Sequence, residues 1–134
     1  MAKAITIQQP YAQLIVLGHK QYETRSWRTH FRGELLIHAA SRGYTQAVEK
    51  ALTQFAGSIA DAYAMHTGAI IGKVKVTDCI PVEKLLAHLS DFERSCGYWQ
   101  KGNYAWKLEE PEMFSTPITL VKGTQGLWNY THIY

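Results

Sequence analysis

The chain has 134 residues, of which 46% are hydrophobic and 19% charged, and this is the length and composition of one globular domain. These values argue against a multidomain, fibrous or disordered protein. Fourteen Lys and Arg residues against eleven Asp and Glu residues give a formal net charge of +3, which is compatible with an anionic partner but does not require one.

The sequence has no apolar run long enough for a membrane span and no cleavable leader, so we expect a cytoplasmic protein with no membrane partner. Cys79 and Cys96 match no metal-ligand or redox spacing, and we expect both to be reduced thiols. The six histidines are dispersed and form no metal-binding motif. We therefore expect neither a metal site nor another cofactor.

The predicted elements begin with a strand and a short helix. Apolar and polar residues alternate over residues 4–8, which predicts a half-buried strand. Gln9-Pro10 predicts the start of a short helix, and Gly18 predicts its end. Two further strands, joined by a basic loop, are predicted over residues 21–27 and 34–39.

The rest of the chain is predicted to mix helices and strands irregularly. Apolar residues at helical spacing predict a helix over residues 45–55, followed by a second helical stretch over 58–65. The remaining predicted elements are a strand over 69–76, a short helix over 81–89, a long loop over 90–102, and strands over 104–108 and 118–122. This irregular order predicts an α+β fold on a small curved sheet or barrel, as one domain over residues 1–134.

One segment combines cations with aromatic rings. Residues 20–32 contain Lys20, Arg25, Arg28 and Arg32, with Tyr22, Trp27 and Phe31 among them. Cations neutralise phosphates and flat rings stack on bases, which is the chemistry of surfaces that bind single-stranded nucleic acid. The alternative is a basic strand edge that is protected against aggregation.

Three charged residues follow the predicted helix end at Gly18. Glu23 and Arg25 are two residues apart and so project from one face of a strand, while Lys20 lies in the turn before it. Arginine can bind a phosphate, lysine can bind a phosphate or act as a nucleophile, and glutamate can orient the arginine or act as a general base. The same residues would otherwise form an ion-pair network on an exposed edge.

Gly18, Lys20, Glu23 and Arg25 reproduce the GxKxxExR motif of the ASCH domain, a family of small domains related to the PUA-like RNA-binding barrels. The blocks that also resemble this family are residues 5–11, 23–27, 33–41, 103–109 and 121–128. The resemblance extends over nearly the whole chain. It implies a small PUA-like mixed β-barrel with flanking helices and an RNA- or nucleotide-binding cleft beside the first helix.

The resemblance also implies which residues form that cleft. By position, the nucleic-acid-binding residues are Gln9, Pro10, Tyr11, Lys20, Glu23 and Arg25, with Trp27, Arg28, His38 and Ser41 as further candidates. Tyr11 stands where many relatives have tryptophan, so a stacking ring is kept and a hydroxyl is added. His38 alternates with Leu36 along a strand, which favours a hydrogen-bonded core histidine over a catalytic one.

Some members of the family are enzymes. One branch resembles amidohydrolases that deacetylate N4-acetylcytidine, and ribonuclease activity has been attributed to another. Lys20 matches the amidohydrolase lysine, but Glu23 occupies the position of its threonine. If the chain is a hydrolase, Lys20 and Glu23 are its expected catalytic residues. Three hypotheses therefore stay open: an RNA- or nucleotide-binding domain, a metal-independent ribonuclease or nucleoside amidohydrolase, and a protein-interaction module with a basic face.

A few aromatic and basic residues outside the motif can be interpreted either as ligand contacts or as structural residues. Tyr98 and Trp99, in the predicted polar loop, are candidate exposed contacts, whereas Trp106 and Trp128 are expected to be packed in the core. Lys73 and Lys75 alternate on one strand, which indicates either a solvated strand face or an extension of the basic surface.

Overall fold

A computed structural model describes residues 2–41, 50, 53, 57 and 62–131. Within these residues, six strands form one mixed sheet, curled into a half-barrel, in the order β2-β5-β4-β3-β1-β6. The strands are β1 (Ala2–Ile7), β2 (Tyr22–Arg25), β3 (Gly33–Ala39), β4 (Ala69–Pro81), β5 (Tyr104–Ile118) and β6 (Leu127–Tyr130). β1 and β3 are parallel, and the other neighbouring pairs are antiparallel. The predicted α+β fold with a curved mixed sheet is confirmed.

The core lies between the sheet and a short helix, α1 (Tyr11–Val16). Ala12, Ile15 and Val16 are buried, as their helical spacing predicts. The helix lies so close to the sheet at Gly72 of β4 that a Cβ atom there would be 2.6 Å from Val16 Cγ1. Only glycine allows this approach, which places the C-terminal end of α1 directly against β4.

Two predicted helices fall partly outside the described residues. The structure describes only residues 50 and 53 of the helix predicted over 45–55. It describes residues 62–65 of the stretch predicted over 58–65, and residues 63–65 are not helical. The short helix predicted over 81–89 is instead two single turns of 3₁₀ helix, Val82–Lys84 and Leu86–His88.

Two predictions for the C-terminal half are wrong. The predicted loop over 90–102 contains a short helix, α2 (Asp91–Ser95), whose N-cap Ser90 accepts a hydrogen bond from Glu93 N at 3.1 Å. The strand predicted over 104–108 is the start of one 15-residue strand, β5, which ends at Ile118. The strand predicted over 118–122 is absent, because residues 119–126 lie outside the sheet. The acidic stretch inside β5 is extended because it pairs with lysines of β4, in the register Lys73 with Glu112 and Lys75 with Glu109.

The lysines of β4 do not extend the basic surface around the motif. Lys73 Nζ lies 3.1 Å from Glu34, and Lys75 Nζ lies 3.6 Å from Glu110. These pairs confirm the solvated strand face, and exposed pairs of this kind contribute little to stability.

Among the residues that the structure describes, no helix is long and apolar enough to cross a membrane.

Candidate functional site

The motif residues stand at the turn between α1 and β2. Gly18 has a φ of +84°, a conformation that residues with a Cβ atom adopt at a cost. Lys20 N donates to Leu14 O at 3.1 Å as the chain reverses. This turn carries Lys20 into the interior, where only 2% of its surface is exposed. The glycine at the helix end therefore allows a lysine to be buried next to β2.

Glu23 contacts both cations of the motif. Its Oε1 lies 3.5 Å from Lys20 Nζ, and its Oε2 accepts a hydrogen bond from Arg25 Nε at 2.9 Å. Lys20 Nζ also donates to the carbonyl oxygen of Tyr22. Because both Lys20 and Glu23 are largely buried, solvent ions screen this pair much less than a surface ion pair.

Arg25 spans the opening of the half-barrel. Its Nη2 donates to Thr6 O at 3.3 Å, although Thr6 belongs to β1, which does not pair with β2. Arginine has five N–H groups, and within the described residues Arg25 donates one to Glu23 and one to Thr6. The side chain is 24% exposed. Its other N–H groups are therefore available to an anion in the cavities on either side.

The first cavity lies beside α1 and is called here the motif cleft. It has a volume of about 460 Å³, which is within the usual range for small-molecule sites. Its walls come from β1, from α1, from β2 and from the segment that ends α2. The lining residues are Thr6, Ile7, Gln8, Tyr11, Lys20, Glu23, Thr24, Arg25, Ser95, Cys96, Gly97 and Tyr98.

The two tyrosines of the motif cleft differ in exposure. Tyr11 is half-buried, and this burial, with smaller effects from Cys96 and Tyr98, raises the pKa of its hydroxyl. The hydroxyl is therefore protonated at neutral pH and can donate a hydrogen bond. Tyr98 is 75% exposed, but its backbone N–H donates to Thr24 Oγ1 at 2.9 Å. A fixed backbone thus presents the Tyr98 ring to solvent at the edge of the cleft.

Glu93 of α2 is a second carboxyl group near Lys20. Its Oε1 accepts a hydrogen bond from Gln21 N at 2.8 Å. Its Oε2 is buried and makes no hydrogen bond of normal geometry to the described residues, although the backbone N–H of Tyr22 also stabilises the charged carboxylate. Burial raises the pKa of Glu93, and the charge of Lys20 opposes this effect without cancelling it. A carboxyl group with a raised pKa beside a lysine can exchange protons closer to neutral pH than an ordinary glutamate.

Cys96 lies in the lining of the motif cleft, but its environment keeps it inert. Burial raises the pKa of the Cys96 thiol to about 11. The nucleophilic form of cysteine is the thiolate, and at neutral pH almost none is present. Cys96 therefore acts as an apolar wall of the cleft, and it contacts Leu14 of α1 in a small hydrophobic cluster.

The second cavity is larger, with a volume of about 1200 Å³, and is called here the loop groove. One of its walls is the segment 119–126, which follows β5. The other lining residues are Thr6, Arg25, Trp27, His38, Ala40, Ser41, Thr67 and Gly68. Thr6 and Arg25 belong to both cavities, so Arg25 lies at the boundary between the motif cleft and the loop groove.

His38 lies in the wall of the loop groove and is almost completely buried. Its Nδ1 is 3.1 Å from Thr6 Oγ1, and its Nε2 is 2.7 Å from the carbonyl oxygen of Val121. Both ring nitrogens have partners, which confirms the predicted hydrogen-bonded core histidine. His38 thereby ties segment 119–126 to the sheet.

The structure brings most of the predicted site residues into these two cavities. Tyr11, Lys20, Glu23 and Arg25 line the motif cleft, and Trp27, Ser41 and Arg25 line the loop groove. Gln9, Pro10 and Arg28 line neither cavity.

The positions of these three residues explain their absence from the lining. Gln9 is 1% exposed; its Oε1 accepts from Gln13 N and its Nε2 donates to His66 O, both at 2.9 Å. Pro10 is buried beside it. Arg28 is exposed, with its guanidinium 5.3 Å from the centre of the Tyr104 ring. Gln9 thus supports α1 from behind the cleft.

The wall supplied by the end of α2, with Ser95 and Cys96, was missed from the sequence. Glu93, which is buried outside this lining, was missed with it. The signal was present, because a serine three residues before a glutamate is the pattern of a helix N-cap. Tyr98 is exposed as predicted, but the prediction for Trp99 is wrong. Its Nε1 donates to Glu93 O at 3.0 Å, and its ring meets Tyr22 edge to face at 5.7 Å.

The open mixed sheet with small helices is the PUA-like fold that the motif led us to expect. The family model of the ASCH domain matches residues 5–118. The chain belongs to the ASCH-domain family. Within the described part of the chain, no cluster of three or more His, Cys, Asp or Glu side chains could hold a metal ion.

Solved structures of an ASCH protein from Zymomonas mobilis share this fold. That protein has a TM-score of 0.60 at 17% identity, with 97% of this chain and 87% of that chain covered. A tyrosine-to-phenylalanine variant gives 0.59 at 16% identity, with 97% and 90% covered. A serine-to-alanine variant gives 0.57 at 18% identity, with 97% and 88% covered. No curated protein matches the chain.

Proposed function

We propose that the chain binds RNA or a nucleotide in the motif cleft. The observation that carries this proposal is the guanidinium of Arg25, which Glu23 and Thr6 orient while other N–H groups remain for a ligand. A preoriented guanidinium binds a phosphate through paired, charge-assisted hydrogen bonds. Among the residues that the structure describes, the lining of the cleft contains two cations, Lys20 and Arg25, and one carboxylate, Glu23. The balance of charge therefore favours an anion.

The aromatic residues of the motif cleft suit the base of such a ligand. Tyr98 presents an exposed ring at the edge of the cleft, and Tyr11 offers a protonated hydroxyl within it. Stacking on an aromatic ring contributes about 1–3 kcal/mol per base and is tolerant of base identity. Phosphate contact at Arg25 together with stacking at Tyr98 supports a site for nucleotides rather than for phosphate alone.

Fluorescence anisotropy of an end-labelled, random-sequence RNA oligonucleotide tests the proposal. We expect binding that weakens as salt is raised and an affinity that falls by about tenfold in Tyr98→Ala. The matched control is Tyr63→Ala, which removes an exposed tyrosine outside both cavities. Equal losses in the two variants would contradict the proposal. RNA binding no tighter than that of an unrelated protein of equal charge would instead favour a protein-interaction module.

A hydrolase that uses the same cleft is a second candidate, which Glu93 favours. This carboxyl group has a raised pKa, a buried oxygen that makes no hydrogen bond of normal geometry to the described residues, and the ammonium group of Lys20 nearby. Glu23 and Lys20 line the cleft, where Glu23 can act as a base and Lys20 can stabilise negative charge. Glu93 lies outside the lining and acts on the cleft through its electrostatic interaction with Lys20. The substrate classes are an RNA phosphodiester and an acylated nucleoside such as N4-acetylcytidine.

Turnover separates the two candidates. The labelled RNA is examined on a denaturing gel and N4-acetylcytidine by chromatography, with the wild type, Glu23→Gln, Glu93→Gln and Tyr63→Ala. An enzyme shows turnover that Glu23→Gln loses, Glu93→Gln lowers and Tyr63→Ala keeps, while circular dichroism shows all four proteins folded. Absence of turnover on both substrates, with tight binding of RNA, contradicts the hydrolase and leaves the binding domain.

A further inference from the structure

The motif cleft and the loop groove meet at one cation. Arg25 and Thr6 line both cavities, and the Arg25 guanidinium is held at this boundary by its bonds to Glu23 and Thr6. The loop groove contains a second cation, Lys122, and no carboxylate is among its described lining residues. An anionic group at Arg25 would therefore contact both cavities, and the ligand could continue from it in two directions.

Among the described lining residues, each cavity also has one exposed aromatic ring. Tyr98 lines the motif cleft and is 75% exposed, and Trp27 lines the loop groove and is 39% exposed. The Trp27 ring is fixed edge to face against Trp106, with the ring centres 4.9 Å apart. One ring on each side of a shared cation is the arrangement that two consecutive nucleotides need, because bases stack and the phosphate between them carries the charge.

The size of the loop groove supports an extended ligand. At about 1200 Å³ it exceeds the roughly 300–1,000 Å³ of typical small-molecule sites. A single nucleotide in the motif cleft would leave this groove, Trp27 and Lys122 without a role. Resting on the function proposed above, we propose that the ligand is a single RNA strand of at least two nucleotides, with the linking phosphate on Arg25 and one nucleoside in each cavity.

The experiment compares ligands of two lengths on variants that block the groove. The probes are the four nucleoside 3′-monophosphates and the four homopolymeric 2′-O-methyl tetranucleotides, which cannot be cleaved through their 2′-hydroxyl groups. Thr124→Trp and Gln125→Trp each place a large ring in the loop groove from an exposed position. Thr116→Trp makes the same change at an exposed position of β5 outside both cavities and is the matched control.

We expect the best tetranucleotide to bind at least about tenfold more tightly than its mononucleotide, since a second base adds stacking. Both groove variants should remove this gain and leave mononucleotide affinity unchanged, and Thr116→Trp should change neither. Equal affinity for the two lengths would overturn the two-nucleotide site while the proposed function stands. Loss of mononucleotide binding in the groove variants would also overturn the two-nucleotide site. Inorganic tripolyphosphate that competes as strongly as the tetranucleotide would overturn it as well. Absence of binding by any probe would contradict the proposed function itself.

Discussion

Arg25 Nη2 donates a hydrogen bond of 3.3 Å to the carbonyl oxygen of Thr6, and this bond joins two strands that do not pair. In the sheet, β2 is one edge strand, and β1 lies next to the opposite edge strand. The bond therefore crosses the opening of the curled sheet, at the boundary of the motif cleft and the loop groove. One side chain thus takes part both in closing the half-barrel and in presenting positive charge to a ligand.

The geometry and the charge of Arg25 can be separated by substitution. Arg25→Lys keeps the charge but removes the planar pair of N–H groups, so we expect RNA affinity to fall by about tenfold with an unchanged salt dependence. Arg25→Gln removes the charge as well, and the slope of log affinity against log salt should decrease by about 0.7. Anisotropy titrations at several salt concentrations measure both quantities. Arg28→Gln, outside both cavities, is the control, and an equal change of slope there would contradict the assignment.

The motif could be predicted from sequence because its chemistry is local. Gly18, Lys20, Glu23 and Arg25 lie in one turn and one strand, so a glycine at the helix end and a spacing of two on a strand already place the charges together. The core face of α1 and the central strands could be predicted in the same way, from the periodicity of apolar residues.

The loop groove and its boundary with the motif cleft could not be predicted because they depend on contacts between segments that are distant in sequence. The bond from Arg25 to Thr6 and the bond from His38 to Val121 both require the strand order, which hydrophobic patterns do not determine. The length of β5 was missed because its acidic residues are extended through pairing with the lysines of β4. Local propensity alone favours a break there.

Glu93 should make the stability of the chain depend on pH. Burial raises its pKa above the ordinary value of 4.5, so above pH 4.5 the folded chain holds a proton that the unfolded chain has released. The free energy of unfolding therefore falls as the pH rises through the interval between the unfolded and folded pKa values. Glu93→Gln lacks this titration, so its stability relative to wild type should increase with pH over that interval and then become constant.

Urea unfolding of the two proteins at a series of pH values from 4.5 upward measures this difference. Glu112→Gln, which changes an exposed glutamate of β5, is the control and should follow the wild type. A stability difference between Glu93→Gln and wild type that stays constant across the series would show that the Glu93 carboxyl group titrates normally.

Cys96 should react slowly with thiol reagents although it lines a cavity. Its pKa of about 11, against an ordinary value of 9.0, lowers the thiolate fraction at pH 8 by about a hundredfold. We expect a disulfide reagent to label Cys96 in a Cys79→Ser variant at least about tenfold more slowly in the folded chain than in urea. Rapid labelling of the folded variant would mean that the thiol is neither buried nor protonated, and would reopen a nucleophilic role for it.

Gly123 should be required for segment 119–126 to approach the sheet. A Cβ atom at this position would lie 2.8 Å from Cε1 and Nδ1 of His38 and would also contact Thr6 Oγ1. His38 cannot move away without losing its 2.7 Å bond to Val121. We therefore expect Gly123→Ala to lower the free energy of unfolding by about 1–3 kcal/mol, the usual cost of inserting a methyl group where there is no space.

Urea denaturation measures this cost, and Thr124→Ala on the same segment is the control. Thr124 is exposed, so its truncation should change stability by less than about 0.5 kcal/mol. Because segment 119–126 forms one wall of the loop groove, Gly123→Ala should also weaken tetranucleotide binding more than mononucleotide binding. A Gly123→Ala protein as stable as wild type would mean that the segment stands away from His38, and that the groove is wider than the structure shows.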